Sequence, residues 1–67
     1  MKITLTNIEY SNKYKSLVAH ALPPEITVEI PDTTTENNIN TVVYLAIVKD
    51  HSRELAEGIE NAEFTIN

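Results

Sequence analysis

The chain has 67 residues, with ten acidic against five basic side chains, a net charge of −5, one glycine and no cysteine. That length makes one domain, residues 1–67, and the absence of cysteine excludes disulfides and thiolate zinc sites. Apolar content of 42% with 22% charged residues is that of a folded chain and excludes intrinsic disorder.

A domain this small buries only about 60% of the surface its unfolded chain exposes. Such chains usually add a disulfide, a metal or a partner subunit. With the first excluded and only His20 and His51 to offer imidazole, a homo-oligomer, most simply a homodimer, is the expected solution.

In chain order, Lys2 to Tyr10 reads as a strand. Ile3 and Leu5 alternate with Thr4 and Thr6, and the phase slips at Asn7, which predicts a bulge. Ser11 to Leu22 has two readings. Tyr10, Tyr14, Leu17, Val18, Ala21 and Leu22 fall on one helical face, with Ser11 as N-cap and Pro23-Pro24 as the stop. The other reading is a hairpin turning at Ser11-Asn12, which the lack of glycine there disfavours. Glu25 to Ile30 is the clearest strand, with Ile26, Val28 and Ile30 inward and Glu25, Thr27 and Glu29 toward water.

Pro31 to Asn38 reads as a polar loop in which Thr33 and Glu36 have the spacing of a capping box, so a helix is expected from near Thr34. Val42 to Val48 is apolar on all sides and fits either a buried strand or a helix. One long helix from about Glu36 to Glu57 is favoured. Its stripe is Val42, Leu45, Ala46, Ser52, Leu55, Ala56 and Ile59, with Gly58 at the C′ position. So apolar a first half implies burial against a second subunit, and Val42, Leu45 and Ile47 are the expected self-association residues. Ala62 to Asn67 alternates again, with Phe64 and Ile66 inward. The expected fold is α+β: an antiparallel sheet of about three strands on one long helix, with a short helix possible after the first strand.

Little here supports catalysis. His51 and Glu54 lie one helical turn apart but need further ligands to hold a metal. Ser52 adjoins His51 in sequence, and helical neighbours do not face each other. One glycine leaves little material for a nucleophile elbow or a phosphate-cradling loop. No enzyme, metal or cofactor is therefore expected. Lys2, Lys13 and Lys15 with Tyr10 and Tyr14 form a faint nucleic-acid pattern, and tyrosines packing at the core edge explain it better. The longest apolar run is far below the ~20 residues of a membrane span. No signal-peptide core or glycosylation sequon appears, which fits a cytoplasmic protein.

Charge is distributed unevenly. Residues 1–22 carry Lys2, Lys13 and Lys15 against Glu9, a net of +2. Residues 23–67 carry Lys49 and Arg53 against nine carboxylates, a net of −7. Such a surface repels nucleic acid and anionic lipid and suits a basic protein partner. The expected acidic face comprises Glu25, Glu29, Asp50, Glu54, Glu57, Glu60 and Glu63. On a continuous helix Asp50, Glu54 and Glu57 line one side.

Three stretches, Asn7-Ile8-Glu9-Tyr10, the run from Leu22 to Asp32, and the closing Phe64-Thr65-Ile66, give a layout that resembles the small acidic open reading frames of bacteriophages and mobile elements. That group includes anti-CRISPR and other anti-defence inhibitors. The resemblance implies an inhibitor that occludes a basic, nucleic-acid-binding surface of a partner protein. The alternative is a self-assembling structural or accessory subunit in which the acids only confer solubility.

Overall fold

The computed structural model describes residues 1–18 and 22–67. Its elements, in order, are β1 (Lys2–Tyr10), α1 (Asn12–Leu17), β2 (Ile26–Glu29), α2 (Ile39–Asp50), α3 (Arg53–Gly58) and β3 (Ile59–Ile66). The strands form an antiparallel sheet of order β2-β1-β3, and the helices pack on one of its faces. The α+β class with a three-stranded sheet follows the sequence. The single long helix does not.

β1 is the central strand. Ile3 and Leu5 are buried while Lys2 is exposed, as the alternation requires. At Asn7 the backbone takes φ 49°, a left-handed conformation that asparagine tolerates better than most residues. The β1–β3 register slips there, between Thr6 and Glu9, and slips back between Glu9 and Tyr10. The first shift adds a residue to β1 and the second adds one to β3, so the bulges compensate. The β1 bulge puts Tyr10 on the buried side, and the β3 bulge restores the register.

The helix reading of the next segment holds over Asn12–Leu17, and Ser11 caps it, its Oγ accepting the Tyr14 N–H at 3.1 Å. His20 and Ala21 lie outside the described residues. The Tyr10 ring stacks on Tyr14, centroids 5.8 Å apart, and its hydroxyl donates to the Pro23 carbonyl at 2.6 Å. That bond ties the segment leading into β2 back to the end of β1. β2 follows the expected pattern, with Ile26, Val28 and Ile30 buried.

The expected capping box does not form. The Thr34 hydroxyl donates to the Pro31 carbonyl, and the Thr35 N–H donates to Asn38 Oδ1. These local bonds close turns in place of a helical start, and α2 begins only at Ile39.

The long helix breaks at His51-Ser52. Ser52 is extended (φ −158°, ψ 160°), and its Oγ accepts the Leu55 N–H at 3.1 Å. A serine side chain that satisfies a free amide starts a new helix as readily as it continues an old one. The break frees α2 and α3 to choose separate rotational phases. α2 therefore buries Val43 and Ile47, with Ile39, Val42 and Ala46 half-buried beside them, and leaves Leu45 57% exposed. The expected stripe through Leu45 is corrected accordingly, and Ile47 belongs to the chain's own core. In α3, Leu55 and Ala56 are buried.

Gly58 ends α3 without a positive φ, so it is not a left-handed cap. Its role is close approach. A Cβ there would fall on the Tyr14 ring, 2.6 Å from Cδ2 and 2.9 Å from Cδ1. The Gly58 carbonyl also accepts the Ser11 N–H at 2.8 Å. β3 then starts at once and is longer than expected. Phe64 and Ile66 pair with Leu5 and Ile3, on the helix-covered side of the sheet. Yet they are 37% and 62% exposed, because α2 lies over β2 and leaves β3 uncovered.

Two effects oppose each other at Gly58. Alanine gains about 1 kcal/mol of helix propensity over glycine, whereas overpacking costs about 1–3 kcal/mol. The atoms struck belong to the ring itself rather than to a flexible tip, so the steric cost wins. Gly58→Ala is expected to lower unfolding stability by about 1–2 kcal/mol in urea titrations. In a Tyr14→Ala background the same change should cost nothing or stabilise.

Candidate functional site

The sheet divides the expected acidic face in two. On β1 the even residues Lys2, Thr4 and Thr6 point away from the core, and the register places Glu29, Thr27, Thr65 and Glu63 beside them. Glu25 precedes β2 on the same alternation and is exposed. These three carboxylates therefore share the polar face of the sheet. Asp50 ends α2, whereas Glu54 and Glu57 lie on α3 beyond the Ser52 break. The helices pack on the opposite face of the sheet, so the helical carboxylates form a separate group on the other side of the molecule. Glu60 joins neither group and stands at a groove beside β3.

The polar face is a hydrogen-bonded lattice. Thr4 Oγ1 lies 3.0 Å from Thr27 Oγ1 and accepts from Asn67 Nδ2 at 2.7 Å. Asn7 Nδ2 donates to Glu63 Oε2 at 2.6 Å. No described element covers this face. Its threonines fit strand geometry through β-branching and still offer hydroxyls to a ligand.

At one end of the sheet the Met1 ammonium donates to the Asp32 carboxylate (2.7 Å) and the Ile30 carbonyl (2.8 Å), with Glu29 3.6 Å away. The bond to Asp32 raises the amine's pKa above its usual 8.0, and the same bond lowers the carboxyl's below 3.8. Both groups sit at the surface, where solvent screens the attraction. At the other end, burial raises the Tyr10 phenol above its usual pKa, with Tyr14 adding to the effect. Tyr10 is thus a neutral hydrogen-bond donor at physiological pH.

Two grooves flank the helices. One, of about 520 Å³, runs between α2 and β3, with Tyr44 and Phe64 on its walls and Glu60 and Asn61 at its polar end. The other, about 300 Å³, lies between α1 and α3, where Lys13 faces the same cleft as Glu54 and Glu57. Ser52 is occupied as a helix cap and His51 ends α2, so neither is arranged as a nucleophile and base. Among the described residues no cluster of three or more His, Asp or Glu side chains is placed to hold a metal ion. Lys2 sits at the far end of β1 from Lys13 and Lys15 on α1, so the three lysines do not form one patch. Among the described residues no helix is long and apolar enough to cross a membrane.

Sequence reasoning missed the polar sheet face as a unit. Its signal was the recurrence of threonine at alternate positions (Thr4, Thr6, Thr27, Thr65), which gains meaning only once the three strands are in register. Comparison with known families, curated proteins and solved structures gave no match.

The amine–carboxylate pair predicts a pH dependence of defined sign. The raised amine contributes stability below its unfolded pKa near 8, and that contribution is lost as pH rises through the folded value. Asp32 contributes above about 3.8 and loses it as pH falls through its lowered value. In Asp32→Asn the α-amine should titrate closer to 8.0 than in the wild type, as read by pH-dependent NMR shifts. An unchanged titration would show that the contact is absent in solution.

Proposed function

We propose that the chain is a protein-binding module whose partner is a basic, nucleic-acid-handling protein, and that the polar face of the sheet is its docking surface. The observation that carries this reading is the grouping of Glu25, Glu29 and Glu63 around an uncovered lattice of threonines. Glu25 and Glu63 flank Thr6 across two interstrand spacings, about 10 Å in all. Glu29 stands about four residues further along, roughly 13 Å away. Carboxylates at such separations meet lysines and arginines that otherwise contact phosphates, and complementary charge speeds association and selects partners.

On this reading the protein acts by occupancy and not by chemistry. It needs no cofactor, and it competes with nucleic acid in the cytoplasm in the manner of an anti-defence inhibitor. The split of the carboxylates restricts the proposal, since the helical group, Asp50, Glu54 and Glu57, cannot reach the same partner surface. Nor does Glu60 belong to the docking face.

A second reading, self-association, is favoured by apolar side chains that the fold leaves uncovered. Of the three residues expected on the helix, Val42 and Ile47 pack within the chain and only Leu45 stays available. Phe64 and Ile66 on β3 add to the uncovered set.

The first reading is tested by affinity capture from the native host at ~50 mM and ~500 mM salt, where the Debye length falls severalfold. A specific partner should be retained at low salt and lost at high salt. Replacing Glu25, Glu29 and Glu63 together with glutamine should weaken capture by about tenfold or more, roughly 1.4 kcal/mol. Changing Asp50, Glu54 and Glu57 should leave it within about twofold. Capture that survives both salt and the sheet triple substitution would reject the docking surface.

A further inference from the structure

The two edges of the sheet differ. β2 is four residues long and stands between Pro24 and Pro31, a common way of blunting an edge. β3 runs for eight residues without proline or lysine. The Asn67 N–H donates to the Lys2 carbonyl at 3.0 Å. In an antiparallel ladder the direction alternates, so Thr65 and Glu63 also address β1. The backbone groups of Ala62, Phe64 and Ile66 therefore point to the free edge. Ala62 already has a partner for its N–H, since Asn61 Oδ1 accepts it at 3.0 Å. The side chains of Phe64 and Ile66 stand exposed on the helix side of the same edge.

We infer that the occupant of this edge is a second copy of the chain, paired antiparallel through β3 about a two-fold axis at Phe64. This rests on the self-association reading and names its surface, which is the strand and not the expected helix. Three observations select the copy and the register. The outward-facing positions, Ala62, Phe64 and Ile66, are spaced evenly about Phe64, so the edge can pair with itself, with one bond at each end pair, from the Ile66 N–H to the Ala62 carbonyl, because Asn61 Oδ1 holds the Ala62 N–H. That register sets Phe64 against the second copy's Phe64, and Ala62 against its Ile66, which joins the exposed apolar side chains of both copies into one row. It also sets Glu63 against Thr65 and leaves Glu60 beyond the overlap, so no carboxylate opposes another. Shifting the axis onto Glu63 would still pair outward backbone groups, Ala62 with Phe64, but it would place two carboxylates face to face.

The product is a continuous six-stranded sheet, β2-β1-β3 followed by β3-β1-β2 of the second copy. The polar faces of both copies lie on one side of it. A strand overlap this short is small beside the ~1,000 Å² that a stable interface clears. The dimer is therefore concentration-dependent.

Sedimentation equilibrium of the full chain, from about 10 μM to about 1 mM, tests this with three variants. Phe64→Lys puts a charge into the apolar row. Ile66→Pro removes an outward N–H that β1 does not use. Leu45→Lys alters the exposed helix position instead. The expected result is a wild-type monomer–dimer equilibrium that either strand variant weakens at least tenfold and that Leu45→Lys leaves unchanged. Circular dichroism checks that each variant folds, and Ile66→Pro, at a position already largely solvated, carries the test alone if Phe64→Lys unfolds. A dimer that persists in Ile66→Pro and dissociates in Leu45→Lys would overturn strand pairing while sparing self-association. A wild type that stays monomeric at about 1 mM would overturn both.

Discussion

Everything in this fold depends on β1 being paired along both of its edges. Up to Thr6 its odd residues bond to β2 and its even residues to β3, and beyond the bulge it pairs with β3 alone, so one nine-residue segment organises the whole sheet. Ile3 and Leu5, both almost fully buried, sit at the centre of the apolar cluster that α2 covers. Because the middle strand comes first in the chain, its second partner comes last. The connecting chain, residues 11–58, must leave the sheet, supply β2 and the helical layer, and return.

The break at Ser52 makes that return possible. A helix running on to Glu57 would keep the chain moving along one axis, about 1.5 Å per residue, instead of turning it back toward β1. Ser52 caps a second, short helix instead, and Gly58 lets that helix pass against Tyr14. The chain then enters β3 opposite Tyr10. Two tyrosines, one serine and one glycine thus set where the last strand begins. The consequence is an unequal cover. α2 shields β2 and β1, and β3 keeps its apolar face and its free edge open.

The strands were legible because burial on one face writes a period of two into Ile3-Thr4-Leu5 and Ile26-Thr27-Val28. The bulge was legible as a slip of that period at Asn7. Ser11 was legible as a cap, since the apolar spacing that follows it is helical. Ser52 was not, because a serine inside a helix-favouring run looks the same whether it faces solvent or caps a new start. Its choice is settled by where β3 must land, a contact far away in sequence. The phase of α2 was lost with it: Leu45, expected in the buried stripe, is exposed, and Ile47, expected at a self-association surface, lies in the chain's own core. The acidic face divided for the same reason. Glu25 and Glu29 could be read from one strand, Glu63 required the pairing of β3 with β1, and Asp50 lost its alignment with Glu54 at the break. The separation of the polar sheet face from the helical acids is therefore a product of topology and not of local sequence.

The central place of β1 can be measured directly by amide hydrogen exchange at micromolar protein concentration. Both odd and even amides of β1, from Ile3 to Leu5, should be among the slowest to exchange. Glu63 and Thr65 of β3, and Asn67 after it, should be protected while Phe64 and Ile66 exchange quickly. Slow exchange at alternate β1 residues only, or equal protection of all β3 amides at that dilution, would contradict the order β2-β1-β3 with an open β3 edge.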